Sequence, residues 1–544
     1  MKAGPAVGKP EESFCSERES YRQPGPPSVT TLSNVSAPES TTFSLDTSAG
    51  ATRLSQSLGL FSSTAIVIGS MIGSGIYIVD ADIARGTDSP ALYLAAWVVT
   101  GVMTLIGALA YGELAAMMPK AGGQYVYLRE AMGPVFGFLY GWTFFVVMQT
   151  GTIAAVAIAF AKYLGELAPW VSERHWLFYL GHLGPMPLGI NTEECAAIAV
   201  IALLTAINVR GVKSGALVQN IFTTAKVLGL LGLILLGLFF ARNHAAITAN
   251  FHHLWQGAAG PHPYPTAKGV LWLSTPAIIF LAMVGSLFSS DSWYNIAFAA
   301  GEVKNPRRTL PWALTLGTAL VTSLYILANF AYLFVLPMHG SAAAATVIGR
   351  GIQHATEDRV ATAMVSISLG HAGAVVMALA ILVSTFGCDN GLILAGARVT
   401  YAMARDGLFF RRAGELHPRH RTPAWSLWAQ GLWASLLCLS GTYNQLLEYV
   451  MFAVGLFYFL TIACVFILRR RRPQWPRPYR ALGYPWLPGL YIALAGFFDW
   501  QLLRYMPGYA YPGLILVLLG LPVYWLWNRR PRIPEGNDPL TEPL

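Results

Sequence analysis

Long apolar runs, rather than short alternations, organise this chain. Stretches of about 17 to 33 predominantly apolar residues recur along it, each long enough for a helix, some tilted, to cross a hydrocarbon core of about 30 Å. They fall at 57–82, 91–117, 134–164, 193–209, 215–241, 268–300, 310–336, 360–392, 423–441, 445–468, 484–505 and 509–528. With no water in the bilayer core to satisfy backbone groups, such runs predict helix. The expectation is an all-α polytopic membrane protein with twelve transmembrane helices.

Two of the runs have polar, flexible centres. The first contains Ile68-Gly69-Ser70-Met71-Ile72-Gly73-Ser74-Gly75-Ile76-Tyr77. Each Gly costs a helix about 1 kcal/mol relative to Ala. A peptide group freed at that depth must find another partner. The sixth run carries Gly285-Ser286-Leu287-Phe288-Ser289-Ser290-Asp291-Ser292-Trp293 at its middle, five spans later. Interrupted segments at matching positions of two halves predict a five-plus-five inverted repeat with a site at its midplane. Small residues that merely permit close helix packing are the alternative for either stretch taken alone. An unwound segment exposes N–H groups at the start of its second half and carbonyls at the end of its first. A carboxylate suits Gly73, Ser74 and Gly75, and an ammonium suits the carbonyls. A free α-amino acid carries both charges.

Composition supports the class. Of 544 residues 54% are apolar or aromatic and 12% charged, about half the charged fraction of a soluble domain. The net charge of +9 does not point to nucleic acid, because of where the basic residues lie. With a cytoplasmic N-terminus, 22 of the 36 Lys and Arg fall in inside loops and the C-terminal tail, against eight outside. The run Arg469-Arg470-Arg471-Arg472, with Arg477 and Arg480, lies between the tenth and eleventh spans. This bias places both termini in the cytoplasm. Residues 1–52, rich in Ser, Thr, Pro and Glu, are expected to be a disordered tail without a signal peptide, and 531–544 a second cytoplasmic tail. Residues 53–530 form the helical domain. The five cysteines lack metal or CxxC spacing and read as inert thiols. Histidines 244, 252, 253 and 262 lack the spacing of a metal site, and no nucleophile elbow or phosphate loop appears. Neither a metal nor a cofactor is expected, nor an enzyme. A channel, built from repeated filters or subunit rings, fits two half-broken helices less well than alternating access does.

Ile72-Gly73-Ser74-Gly75-Ile76-Tyr77 resembles the I-G-S-G-I-F motif of the amino acid–polyamine–organocation superfamily. Glu113-Leu114 followed by Pro119-Lys120-Ala121-Gly122-Gly123-Gln124-Tyr125-Val126-Tyr127 is similar to its E-L…P-x-x-G-G-x-Y-x-Y stretch. Gly301-Glu302-Val303-Lys304-Asn305-Pro306-Arg307-Arg308-Thr309-Leu310-Pro311 resembles its E-E-V-K-N-P-x-R-x-L-P signature. Ser384-Thr385-Phe386-Gly387, Asn390-Gly391, Arg398 and Ala404-Arg405-Asp406-Gly407 match its eighth-span stretch. The resemblance covers about residues 55–500 and lies nearest the L-type amino acid transporter branch with its bacterial relatives.

That resemblance implies a leucine transporter-like fold with discontinuous helices 1 and 6. Ile72, Gly73, Ser74 and Gly75 would hold the substrate carboxylate, and carbonyls around Phe288, Ser289 and Asp291 its ammonium. Phe288, with Trp293 beside it, would gate the site. Lys226, alone in an apolar fifth span, matches the family lysine that stands where sodium-coupled relatives hold an ion. Ser384 and Thr385 would be its hydroxyl partners. Sodium-independent exchange or proton coupling follows, with neutral amino acids as substrate. Cationic amino acids or polyamines are the alternative, and a receptor or membrane enzyme a remote one. The chain departs from the family at the sixth-helix break, where Ser289-Ser290-Asp291-Ser292 replaces A-Y-G-G and leaves Asp291 able to meet a proton or a cationic side chain. Animal members carry a cysteine before the fourth span for an ancillary glycoprotein; here Cys195 already lies in that span. A bacterial-type inner-membrane permease in contact with lipid, without a disulfide-linked subunit, is therefore expected.

Overall fold

The computed structural model describes residues 54–183, 186–266, 269–439 and 443–528. Both predicted tails, 1–52 and 531–544, lie outside the described residues, as does Cys15.

Each of the twelve apolar runs is occupied by helix. The first run is divided into α1 (Leu60–Met71), α2 (Gly75–Ile78) and α3 (Asp80–Thr87), and the second is α4 (Pro90–Met117). After the connecting helix α5 (Gln124–Met132), α6 (Pro134–Thr143) passes through a π-turn at Phe144–Met148 into α7 (Gln149–Leu167). A hairpin, β1 (Trp176–Leu183) and β2 (Met186–Asn191), leads into α8 (Thr192–Val209). Then come α9 (Val212–Leu235), α10 (His244–Ile247) and a second hairpin, β3 (His262–Thr266) with β4 (Gly269–Leu273). The sixth run is split into α11 (Thr275–Ser289) and α12 (Asn295–Phe298). The rest comprises α13 (Pro306–Val335), α14 (Val347–Arg350), α15 (Val360–Arg405), α16 (Ala424–Cys438), α17 (Tyr443–Arg471), α18 (Trp486–Tyr505) and α19 (Pro507–Asn528).

Local chemistry explains the boundaries. Pro90, Pro134 and Pro306 open helices at the first position, where the missing N–H costs nothing. A capping box starts α8: the Glu194 N–H donates to Asn191 Oδ1 at 2.8 Å while Asn191 N–H donates to Glu194 Oε2 at 3.0 Å. Gly370, at φ 57° and ψ −140°, bends α15.

Two expectations are corrected. The protein is mostly helical rather than wholly so, because two antiparallel hairpins occupy loops; Tyr179 faces Gly189 in one and His262 faces Leu273 in the other. The sixth helix begins at Thr275 rather than near 268, since the apolar run from 269 to 273 pairs as a strand. Periodicity cannot separate a short apolar strand from the start of a buried helix.

Among the described residues nine helical segments are long and apolar enough to cross a membrane. The helices in the other three runs, α11, α16 and α18, fall short in length or apolar character. The protein is a multi-pass membrane protein. At its centre α1 packs between α9 and α13, α13 lies along α4, and α15 lies along α7 and α9.

Candidate functional site at two broken helices

Helix α1 stops at Met71. Ile72 adopts an extended conformation (φ −76°, ψ 95°), and backbone pairing resumes only where the Tyr77 N–H donates to Ser74 O at 3.1 Å. The carbonyls at the end of α1 are taken up by side chains from three neighbouring helices. From α9, Lys226 Nζ donates to Gly69 O at 2.9 Å and Ile72 O at 2.6 Å. From α15, Ser384 Oγ lies 2.8 Å from Gly73 O and 3.2 Å from Ile72 O, and Cys388 Sγ lies 3.1 Å from Ser70 O. From α13, the Tyr325 hydroxyl donates to Met71 O at 3.0 Å. A break at this depth survives because each exposed acceptor has a donor.

The sixth helix breaks at the matching place. Backbone bonds from Asp291 N–H to Phe288 O (3.2 Å) tighten the end of α11, and Ser292 adopts φ 65° before α12 begins. The buried Asp291 carboxylate accepts from Ser292 Oγ at 3.2 Å and from the Tyr458 hydroxyl.

The two breaks touch. A Cβ at Gly75 would stand 2.1 Å from Ser289 Oγ and 2.9 Å from Ser289 Cα. Gly75 is therefore required by the approach of α11, a reason separate from ligand access. Tyr325 joins the two, since its hydroxyl also reaches Ser289 O at 3.1 Å. Gly73 faces Cys388, whose Sγ would lie 3.2 Å from an added Cβ. The end of α11, rich in carbonyls, thus stands against the glycines that open the second half of helix 1.

Each residue singled out in the sequence can be placed around this junction. Ile72, Gly73, Ser74 and Gly75 form the first break; Phe288, Ser289 and Asp291 form the second, all buried. Lys226 is 2% exposed, so it turns into the protein rather than snorkelling to the surface. Its partners are backbone carbonyls; Ser384 shares Ile72 O with it, whereas Thr385 Oγ1 donates to Ile381 O and Leu382 O of its own helix. Trp293 packs edge-on to Tyr111 with centroids 4.6 Å apart, in an aromatic cluster with Tyr294 and Tyr458. Sequence reading missed Tyr325, Cys388 and Tyr458, because a lone Tyr or Cys in an apolar run carries no spacing signal. Among the described residues no cluster of three His, Cys, Asp or Glu could hold a metal ion.

A broken pair of helices with a buried lysine tied to the unwound backbone, in a multi-pass membrane protein, defines a transporter built on discontinuous helices. The chain belongs to the amino acid permease family, whose description matches residues 58–518, within the amino acid–polyamine–organocation superfamily. It is an amino acid transporter and not an enzyme. It is 30% identical over 481 residues to the serine/threonine exchanger SteT of Bacillus subtilis (strain 168), covering 88% of this chain and 98% of that protein. It is 31% identical over 432 residues to the human b(0,+)-type amino acid transporter 1, 79% of either chain. It is 28% identical over 500 residues to the mouse large neutral amino acids transporter small subunit 2, 89% of this chain and 83% of that one.

Proposed function

We propose that this chain exchanges neutral α-amino acids across a bacterial inner membrane by alternating access, without sodium. The observation that carries the reading is the meeting of the breaks at Gly75 and Ser289. It sets N–H groups of one unwound segment beside carbonyls of the other, so a single zwitterion can bridge them. In this reading the substrate carboxylate rests on Gly73, Ser74 and Gly75, the ammonium on carbonyls around Phe288, Ser289 and Asp291, and Phe288 closes over both. Trp293 supports that gate from its aromatic cluster. The Lys226 ammonium replaces a coupling cation: it already holds Gly69 O and Ile72 O, the carbonyls such an ion would draw on.

The twelve spans form a five-plus-five inverted repeat with two peripheral helices, and both termini face the cytoplasm, as the excess of inside Lys and Arg favours. The serine/threonine exchanger among the relatives favours small neutral substrates and exchange. Asp291, a buried carboxylate that accepts from the Ser292 and Tyr458 hydroxyls and pairs with no cation among the described residues, favours cationic amino acids as the second reading. Cys195 lies within α8 rather than in the preceding loop, which supports a transporter that works without a disulfide-linked subunit.

Counterflow tests the reading. Proteoliposomes loaded with unlabelled L-serine, L-leucine or L-lysine should draw in the matching labelled amino acid equally well in sodium and in choline buffer. Loss of uptake on replacing sodium would refute sodium independence. Counterflow of L-lysine alone would select the second reading.

A further inference from the structure

Asp80 opens α3, which follows α2 within the second half of the broken first helix, and is completely buried. Its Oδ1 lies 2.9 Å from the Tyr93 hydroxyl and 3.0 Å from Trp97 Nε1, both on α4. The same Tyr93 hydroxyl is in hydrogen-bond contact with Asn329 Oδ1 on α13. Asn329 cannot be turned to offer Tyr93 an N–H, because its Nδ2 already donates to Tyr325 O at 2.8 Å and an exchange would set oxygen against oxygen. Tyr93 therefore stands between two acceptors with one proton to give.

An ionised Asp80 leaves one of those two contacts without hydrogen. A neutral Asp80 resolves the count: its own O–H donates to the Tyr93 oxygen, and Tyr93 donates to Asn329. A second observation agrees. Asp80 Oδ2 is buried with no hydrogen-bond partner among the described residues, a place for a carboxyl C=O rather than for half of a negative charge.

Nothing nearby compensates a charge. The groups that face Asp80 are Tyr93 and Trp97 from α4, and Asn329 and Tyr332 from α13; α11, packed on the same helix, has no ionisable side chain. The turn Thr356–Asp358, also packed on α3, brings Glu357, paired with Arg359, and Asp358, paired with Arg85. On α3 itself Arg85 is committed to Asp82, to Asp358 at 2.7 Å and to Gln353 O at 2.7 Å. Among the described residues no ion pair reaches Asp80.

We propose that Asp80 is a proton-binding site of the transporter, loaded in this conformation and discharged when the second half of helix 1 moves away from α4 and α13. The inference rests on the alternating-access reading. The α3 helix is the element that must shift relative to the Tyr93–Asn329 pair, and Asp82, two residues on, is already solvent-exposed. Separation would break the Asp80–Tyr93 contact, admit water to the carboxyl and release its proton to that side. The proton lost there is regained from the opposite face before the helix returns, so each cycle carries one proton across the membrane, and an imposed proton gradient adds net uptake to the exchange. Asp389 and Asp499 are also buried acids with oxygens lacking partners, but Asp389 is within charge range of Lys226 and neither lies in a half of a broken helix.

Infrared spectroscopy of the purified full chain in liposomes, compared with Asp80→Asn, tests the bound proton without requiring transport. The wild type should show a protonated-carboxyl C=O band at neutral pH that Asp80→Asn lacks; superimposable spectra would overturn the proposal. Tyr93→Phe should keep that band but shift it, since the carboxyl loses its acceptor. An amide mimics the neutral acid, so Asp80→Asn should melt at the wild-type temperature. In proteoliposomes with an imposed proton gradient, labelled L-serine, L-leucine and L-lysine report coupling. Asp80→Asn should lose gradient-driven accumulation at least tenfold while counterflow persists; wild-type accumulation by the variant would also overturn the proposal. A wild type that moves none of the three would sink the transport reading alone, and the carboxyl band would still decide the proton.

Discussion

The ammonium of Lys226 stands 2.6 Å from the carbonyl of Ile72, at the point where the first helix unwinds. With the bond to Gly69 O at 2.9 Å, it spans the last turn of α1 and the first residue past it. A mid-membrane cation costs at least about 2.5–3.5 kcal/mol on an isolated helix. Here the cost is offset by carbonyls that would otherwise be bare, so lysine and break stabilise each other.

Lys226→Ala should therefore cripple exchange while the chain still inserts in the membrane. Hydrogen bonds to charged groups contribute about 1.5–3 kcal/mol each, so loss of two predicts at least a tenfold fall in counterflow. Lys226→Arg should not rescue it, because a larger planar guanidinium would have to replace a compact ammonium in a fully buried site. Counterflow at the wild-type rate in Lys226→Ala would remove the lysine from the mechanism.

Tyr325 reports on the join between the two breaks. Its hydroxyl contacts Met71 O and Ser289 O at 3.0 and 3.1 Å, on opposite sides of the junction. Tyr325→Phe removes both contacts with little change in volume. At about 1 kcal/mol for the single proton shared between the two carbonyls, it should lower the melting temperature by a few degrees and slow counterflow several-fold. A variant as stable and as active as wild type would show that the hydroxyl does not hold the junction.

Glycine at 75 and at 86 should behave oppositely. An Ala at 75 drives its Cβ into the Ser289 side chain and within 2.9 Å of backbone, so the helices must part. Overpacking of this kind costs about 1–3 kcal/mol, and at the proposed substrate junction it should abolish counterflow. Gly86, in α3, has nothing within 4 Å of an added Cβ, so Gly86→Ala should be neutral or stabilise by about 0.5–1 kcal/mol. Thermal melting of the pair, beside counterflow, checks the contrast.

Most of the helical architecture was legible in the sequence because apolar runs and Gly-Ser interruptions are local signals. The twelve runs and the breaks near Ile72 and Ser290 could be read directly, since each follows from composition over a few residues. The strand at Gly269–Leu273 could not, because its length and apolar content fit a helix start equally well. The donors to the first break were partly visible: Lys226 stood out by its charge, whereas Tyr325 and Cys388 depend on which faces of distant helices meet. Thr385 fell on the other side of α15 from Ser384 by one residue's rotation, about 100°.

Glu302 and Arg398 form the most buried ion pair among the described residues, 0% and 1% exposed, with Arg398 Nη2 3.0 Å from Glu302 Oε1 and Nε 3.2 Å from Oε2. The pair ties the segment after the sixth-helix break to α15, and Glu302 O accepts from the Ser57 and Leu58 N–H groups at 2.9 and 3.0 Å, so it also anchors the start of the first span. Removing one partner strands a buried charge, which costs about 3–5 kcal/mol. Arg398→Leu alone should lower the melting temperature sharply. Glu302→Leu with Arg398→Leu removes both charges and should recover a large part of that loss, giving a coupling energy above about 1 kcal/mol in a double-mutant cycle. The neutral double variant should nonetheless exchange amino acids more slowly than wild type, because the bidentate tie between the sixth helix and α15 is gone. Purely additive melting shifts would mean that the two charges do not depend on each other.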